Sequence, residues 1–251
     1  MKIVERAFTL LDGPWHGPSE IAEATGLNVT VVYRILQSGI PSLYFVQGPG
    51  GKYRLGPGAA AIGMQAMAHT PGTEASHPIL EHLSKALDAM ALLWVFSPFG
   101  NPRRVLADHA PGRYDLESLG LSASELAAMG SSLRVGPSGR VIAAHLPATM
   151  VDAVLAGAVP AGAGPGALSE REFRTSLEEI RANGYALGRE EVTGWGAVAA
   201  PVLWGNTVYG AISVLKPSSL LTDDPRAAAR TVAAADRFSL LVSGGRIPLA
   251  G

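Results

Sequence analysis

Apolar positions in the first part of the chain recur mostly at helical spacing. Val4, Phe8 and Leu11 fall at i, i+4 and i+7, which predicts a short amphipathic helix stopped by "DGPWHGP". Ser19 is expected to cap a second helix carrying Glu20 and Glu23, with Gly26 as its stop. Asn28 stands where a third helix needs its cap. The run that follows, "NVTVVYRIL", contains four β-branched residues in a row, Val29, Thr30, Val31 and Val32, which locally favour a strand. Periodicity favours a helix instead. Val29, Val32, Ile35 and Leu36 share one helical face, with Thr30, Val31, Arg34 and Gln37 turned away, whereas neither face of a strand would alternate cleanly. The propensity cost is about 0.5 kcal/mol per β-branched residue, small enough for packing to override. "LYFVQ", "GPGG" and "KYRLG" then predict a hairpin, its second strand presenting Lys52 and Arg54 on one face and Tyr53 and Leu55 on the other. Three short helices and a two-stranded hairpin, within residues 1–56, follow the order of a winged helix-turn-helix.

Beyond Gly56 the pattern changes. A helical run from Pro57 to Ala68, striped by Ala60, Met64 and Met67, is broken by "HTPGTEASHP", so residues 57–76 are expected to form a linker helix and its end. Residues 77–246 alternate helices and strands, as an α+β domain with an antiparallel sheet does. "ILEHLSKALDAM" is amphipathic, "ALLWVFS" is a buried strand, and "RRVLADHA" is its expected partner. In "SEREFRTSLEEIRANG", Ser169 and Glu172 form a capping box, Phe173, Leu177 and Ile180 form the apolar stripe, and Gly184 ends the helix. A closing helix over about Pro225 to Val242 is striped by Ala228, Val232, Ala235 and Phe238. The uncharged stretch from Val192 to Leu215 is long enough to cross a bilayer. Its glycines, Pro201 and the Gly-Asn turn in "WGNT" predict a buried hairpin instead, so a soluble, cytoplasmic protein is expected, with no membrane partner.

Charge and composition narrow the chemistry. A formal net charge of −1 gives no overall basic field, so nucleic-acid binding would need a local patch. The chain has no cysteine, which excludes thiolate catalysis, disulfides and cysteine zinc sites. "GPGAAAIG" echoes a dinucleotide fingerprint at Gly56, Gly58 and Ala61, with Glu74 downstream, but follows an exposed hairpin strand and not the buried strand of a βαβ unit. "SVLK" matches S-x-x-K, yet on a strand Ser213 and Lys216 point opposite ways. "VGPSGR" has Arg140 where a nucleophile elbow needs glycine. His77 and His82 lack metal-ligand spacing. Neither an enzyme nor a cofactor is indicated.

Two later blocks carry a resemblance. "LRVGPSGRVIAAHLP" (133–147) resembles the small-residue block of the IclR-type bacterial transcription regulators, with its Gly-Lys/Arg-Ala step and a helix ending in Leu-Pro. "IRANGYALGREEVTGWGAVAAPV" (180–202), followed by "GAISV", resembles that family's Gly-Tyr, Glu-Glu and Ala-Ala-Pro-Val signature. "VVYRIL" and "GKYRLG" sit where the family has its recognition helix and wing strand. The resemblance implies a winged helix that binds double-stranded operator DNA, a linker helix, and a GAF-like domain of residues 77–246 that binds a small organic effector. It also implies a homodimer or tetramer. Carried over by position, the DNA-facing set is Asn28, Thr30, Val31, Tyr33, Arg34, Lys52 and Arg54. The effector set is Pro137, Ser138, Gly139, Gly188, Trp195, Ala197, Ser213 and Leu215. Backbone amides at Pro137–Gly139, at a helix start, would suit an anion.

Departures from the family pattern matter too. Val31 and Val32 follow Thr30, so a usual hydroxyl is missing from the recognition helix. Residues 1–70 hold five basic residues (Lys2, Arg6, Arg34, Lys52, Arg54) and four acidic ones (Glu5, Asp12, Glu20, Glu23), which leaves little counterion release to draw on. A carboxylate that some relatives carry near Gly188 is absent and Trp195 is gained, so a larger or more apolar effector than a short oxo-acid is expected. The competing expectation is a degenerate relative that kept the ligand-binding domain but has weak or no specific DNA binding.

Overall fold

Pro18 opens the first described helix, α1 (Pro18–Thr25), one residue before the expected cap at Ser19. Its ring pre-sets the helical φ at a position whose N–H needs no partner. Glu20 reaches back to accept the Gly17 N–H at 2.9 Å, and Gly26 closes the helix with a left-handed φ of 70°. This computed structural model describes residues 15–99, 101–113, 131–161, 163–221 and 225–245, so the helix expected around Val4, Phe8 and Leu11 lies outside the described residues. The chain divides into two compact units, one of Met1–Thr70 with Pro147–Thr149 and one of Pro71–Leu146 with Met150–Gly251.

In the first unit, α2 (Val29–Gly39) is a helix despite its β-branched start. Asn28 caps it by accepting the Thr30 N–H at 2.8 Å. The buried stripe is Val32, Leu36 and Gly39, with Ile35 packed alongside. Val29, expected on that face, is 45 % exposed at the first helical position, one turn short of the core. The hairpin pairs β1 (Phe45–Gln47) with β2 (Tyr53–Leu55), and Phe45 meets Leu55 in register. Gly39 lets Phe45 pack against the helix, since an added Cβ would stand 2.5 Å from its Cδ2. Tyr53 is fully buried and accepts a bond from the Gln37 side chain at 2.7 Å. Leu55, expected on the same strand face as Tyr53, is exposed. Helix α3 (Pro57–Met67) buries none of its residues.

The second unit begins with α4 (Thr73–Leu87), which starts well before the expected "ILEHL". Pro78 sits inside it at an exposed position. Strands β3 (Met90–Ser97), β4 (Arg103–Ala110), β5 (Ala186–Val192), β6 (Trp195–Trp204) and β7 (Thr207–Pro217) form one antiparallel sheet in the order β4-β3-β7-β6-β5. Between β4 and β5 come α5 (Pro137–Ala144), α6 (Ala148–Ala156) and α7 (Glu170–Asn183). The expected capping box at Ser169 and Glu172 forms, and Gly184 ends α7. A short α8 (Ser218–Leu221) and α9 (Pro225–Val242) close the described chain. The Gly205–Asn206 turn joins β6 to β7 as expected, and no described helix is long and apolar enough to cross a membrane.

Strand alternation splits the core in two. One sheet face, with Ala91, Leu93, Val198, Ala200, Ile212 and Val214, packs on α4 and α9. The other, with Leu92, Trp94, Ala199 and Ala211, packs on α5, α6 and α7.

Candidate functional site

In the first unit, α2 buries Val32 and Leu36, and the same period turns Thr30, Val31, Tyr33 and Arg34 to solvent. Lys52, just before β2, and Arg54 within it are exposed as well. Three members of this set are already engaged. Asn28 uses its carbonyl oxygen on the Thr30 N–H. Lys52 Nζ lies 3.8 Å from Glu20, and the guanidinium of Arg54 stacks over Trp15 at 5.2 Å. The Gly17 N–H, with Lys52 beyond it, holds the Glu20 carboxyl below its usual range.

In the second unit, the eight residues singled out from the sequence share one neighbourhood. Gly188, Trp195, Ala197, Ser213 and Leu215 occupy in-register positions of β5, β6 and β7: Gly188 pairs with Ala197, and Ala197 with Leu215. This is the sheet face that α5 covers, with Pro137, Ser138 and Gly139 forming its first turn. All eight residues of α5 are buried. Ser213 is 3 % exposed and accepts a bond from Trp94 Nε1 at 3.1 Å. Ser213 and Leu215 lie on the same face, as strand alternation requires; Trp195 is half-buried at the start of β6.

Charged side chains that the sequence reading had not placed in the site also converge here. Glu191 is buried, accepts the Gly136 N–H at 2.7 Å, and pairs with Arg140 at 2.6 Å. Arg140 Nη2 also donates to the Leu187 carbonyl. Simple alternation would aim Glu191 at the opposite face from Gly188. A register shift after Arg189, with Glu190 at a φ of 56°, turns it inward. The site therefore does hold a carboxylate beside Gly188, contrary to the expectation from sequence: an added Cβ on Gly188 would stand 2.5 Å from Glu191 Oε1 and 2.6 Å from Pro137 Cδ. Arg104, from β4, donates to the Val135 carbonyl at 2.8 Å and stacks over Trp94 at 4.9 Å. Burial pushes its pKa down to about 10, against the opposing attraction of Glu191. Arg134 stacks over Phe173 at 4.9 Å, and its burial likewise lowers its pKa.

Among the described residues, then, three arginines and one glutamate are buried, and all four belong to this side of the sheet or the segment leading into α5. Such a site favours an anionic occupant with an apolar or aromatic body, since buried guanidinium groups gain most from a desolvated negative charge. No group of three or more His, Asp or Glu residues suited to a metal occurs among the described residues. Arg140 and Glu191 were visible in the sequence as parts of quoted motifs; only the bulge in β5 brings them together.

Residues 119–240 match the family model described as the C-terminal domain of the bacterial transcriptional regulator IclR. Among solved structures, the chain is similar to a Silicibacter protein assigned to the ICLR transcriptional regulators, with 23 % identity, 99 % and 98 % of the two chains covered, and a TM-score of 0.60. It is similar to the Thermotoga maritima IclR, with 20 % identity, 96 % and 97 % coverage and a TM-score of 0.60. An IclR homologue from Microbacterium hydrocarbonoxydans complexed with 4-hydroxybenzoate is 18 % identical, with 97 % and 98 % coverage and a TM-score of 0.59. At these identities the likeness establishes a shared fold. No curated protein matches the chain significantly.

Proposed function

We propose that this chain is a non-enzymatic, effector-responsive, DNA-binding regulator of the IclR type, working in the cytoplasm as a homodimer or tetramer; the match of residues 119–240 to the IclR C-terminal model and the shared fold support this reading. Residues 1–56 act as the winged helix-turn-helix, 57–76 as the linker, and 77–246 as the effector-binding and oligomerisation domain. The observation that carries the reading is the outward face of α2, where Thr30, Val31, Tyr33 and Arg34 are all exposed while Val32 and Leu36 anchor the helix. In a major groove, Arg34 and the wing residues Lys52 and Arg54 meet phosphates, and Asn28, Thr30 and Tyr33 meet phosphate or base edges. Val31 touches a thymine methyl without hydrogen-bonding.

The effector occupies the face between α5 and β5–β7. Pro137, Ser138, Gly139 and Gly188 line one side, and Trp195, Ala197, Ser213 and Leu215 the other. The excess of buried arginine there, with Trp94 and Trp195, favours an organic acid with an apolar or aromatic body, the chemistry of the 4-hydroxybenzoate held by the Microbacterium homologue. Calorimetric titration with aromatic acids should give tighter binding than two- or three-carbon acids; the reverse order overturns this assignment.

The engagement of Lys52 by Glu20 and of Arg54 by Trp15 supports a second reading, a relative with weak or no specific DNA binding. A mobility shift on the chain's own upstream intergenic DNA, at low and moderate salt, separates the two. Under the leading reading a shift appears, and Arg34→Ala weakens it and lowers the salt slope by about one unit. No shift at either salt, from a folded protein, favours the second.

A further inference from the structure

On the sheet face opposite the candidate effector site, α4 and α9 meet along two matched stripes. Residues 79, 82, 83 and 86 of α4 and residues 230, 233, 234 and 237 of α9 each follow the i, i+3, i+4, i+7 spacing of a packing seam. Large side chains at every such position would close the seam. Ala86, Ala233 and Ala234 do not, and they leave a groove of about 190 Å³ floored by Ile79 and Leu83. Its polar lining is of one kind: Arg230, Arg237 and His82, with no carboxylate. Arg230 is committed only to a 3.4 Å bond with the Ala86 carbonyl, and neither arginine enters an ion pair among the described residues.

We propose that this groove is a second ligand site, which takes a carboxylate with a medium-length or aromatic apolar tail. The tail lies on Ile79, Leu83 and the alanines, and the carboxylate is held by Arg230 and Arg237. The charge pattern decides the occupant. A second copy docking symmetrically over the groove would set arginine against arginine, a like-charge contact that opposes association. An anion reverses that sign, and guanidinium groups bind carboxylates in a matching planar geometry. Such a site lies across the sheet from the one in the proposed function, so either can fail without the other.

The test is a titration of the full chain with octanoate, followed by amide and methyl NMR shifts. The expected result is saturable shifts at Ala86, Ala233 and Ala234. 1-Octanol should need a concentration at least about tenfold higher, and Arg230→Gln with Arg237→Gln should raise the octanoate Kd by at least about tenfold, as the loss of a charge-assisted contact implies. Both arginines are exposed, so the variant should melt as the parent does. Any of four results overturns the proposal: no shifts at those alanines, equal affinity for octanol, shifts confined to β5–β7, or shifts that follow protein concentration without ligand. The third assigns octanoate to the effector site, and the fourth makes the groove an interface between copies.

Discussion

Replacing Arg140 with alanine would leave the Glu191 carboxylate in a position that is 3 % exposed, held among the described residues by one backbone N–H from Gly136. The pair it breaks has an Nη2–Oε1 distance of 2.6 Å, and both side chains are under a tenth exposed. At that separation and burial, removing one partner costs up to about 3–5 kcal/mol, because the remaining charge loses its paired partner and keeps only the attraction of the buried Arg104. For a unit of this size roughly 2–4 °C accompanies each kcal/mol, so the melting temperature should fall by on the order of 10 °C. Glu191→Gln keeps an acceptor for the Gly136 N–H and leaves Arg140 its bond to the Leu187 carbonyl, so its cost should be smaller, about 1–3 kcal/mol. The double variant Arg140→Ala, Glu191→Gln removes both charges and should cost less than the two single changes together, by about 0.5–3 kcal/mol of coupling. Urea unfolding of all four proteins, followed by circular dichroism, closes the cycle. An Arg140→Ala cost under about 1 kcal/mol, or strict additivity in the double variant, would refute the reasoning.

Two further outcomes follow from local geometry. Gly39→Ala drives a methyl to 2.5 Å from the Phe45 ring and should destabilise the first unit by about 1–3 kcal/mol, with hydrogen exchange accelerated across α2 and β1; unchanged protection there would refute the packing. The Ser169 hydroxyl and N–H hold the Glu172 carboxyl below its usual value of 4.5. A carboxylate with a depressed folded pKa stabilises above its unfolded pKa and loses that contribution as pH falls through the folded value. The stability gap between the parent and Glu172→Gln should therefore be full above pH 4.5 and narrow as the pH drops below it; a gap that widens on acidification contradicts the sign.

Much of the local order was legible from residues alone. The capping box at Ser169 and Glu172, the left-handed stop at Gly184, the Gly-Asn turn after β6 and the helical period of α2 are short-range preferences written into neighbouring residues. The shared face of Ser213 and Leu215 followed from strand alternation. Boundaries were less secure. Ser19 was displaced as a cap because Pro18 opens the helix earlier, Val29 proved exposed at the first turn, and α4 ran through Pro78, which lies on its exposed side.

The charged heart of the candidate site was decided only by tertiary structure. Periodicity of two would send Glu191 away from Gly188, and it is the register shift between β5 and β6, visible in neither strand by itself, that turns it toward Arg140. Arg104 meets Trp94 through pairing of strands, and Arg134 meets Phe173 across a long stretch of chain. Sequence determines what each segment prefers, because those preferences arise within a few residues. Which charges share one dry pocket depends on register and packing over distances that no local pattern encodes.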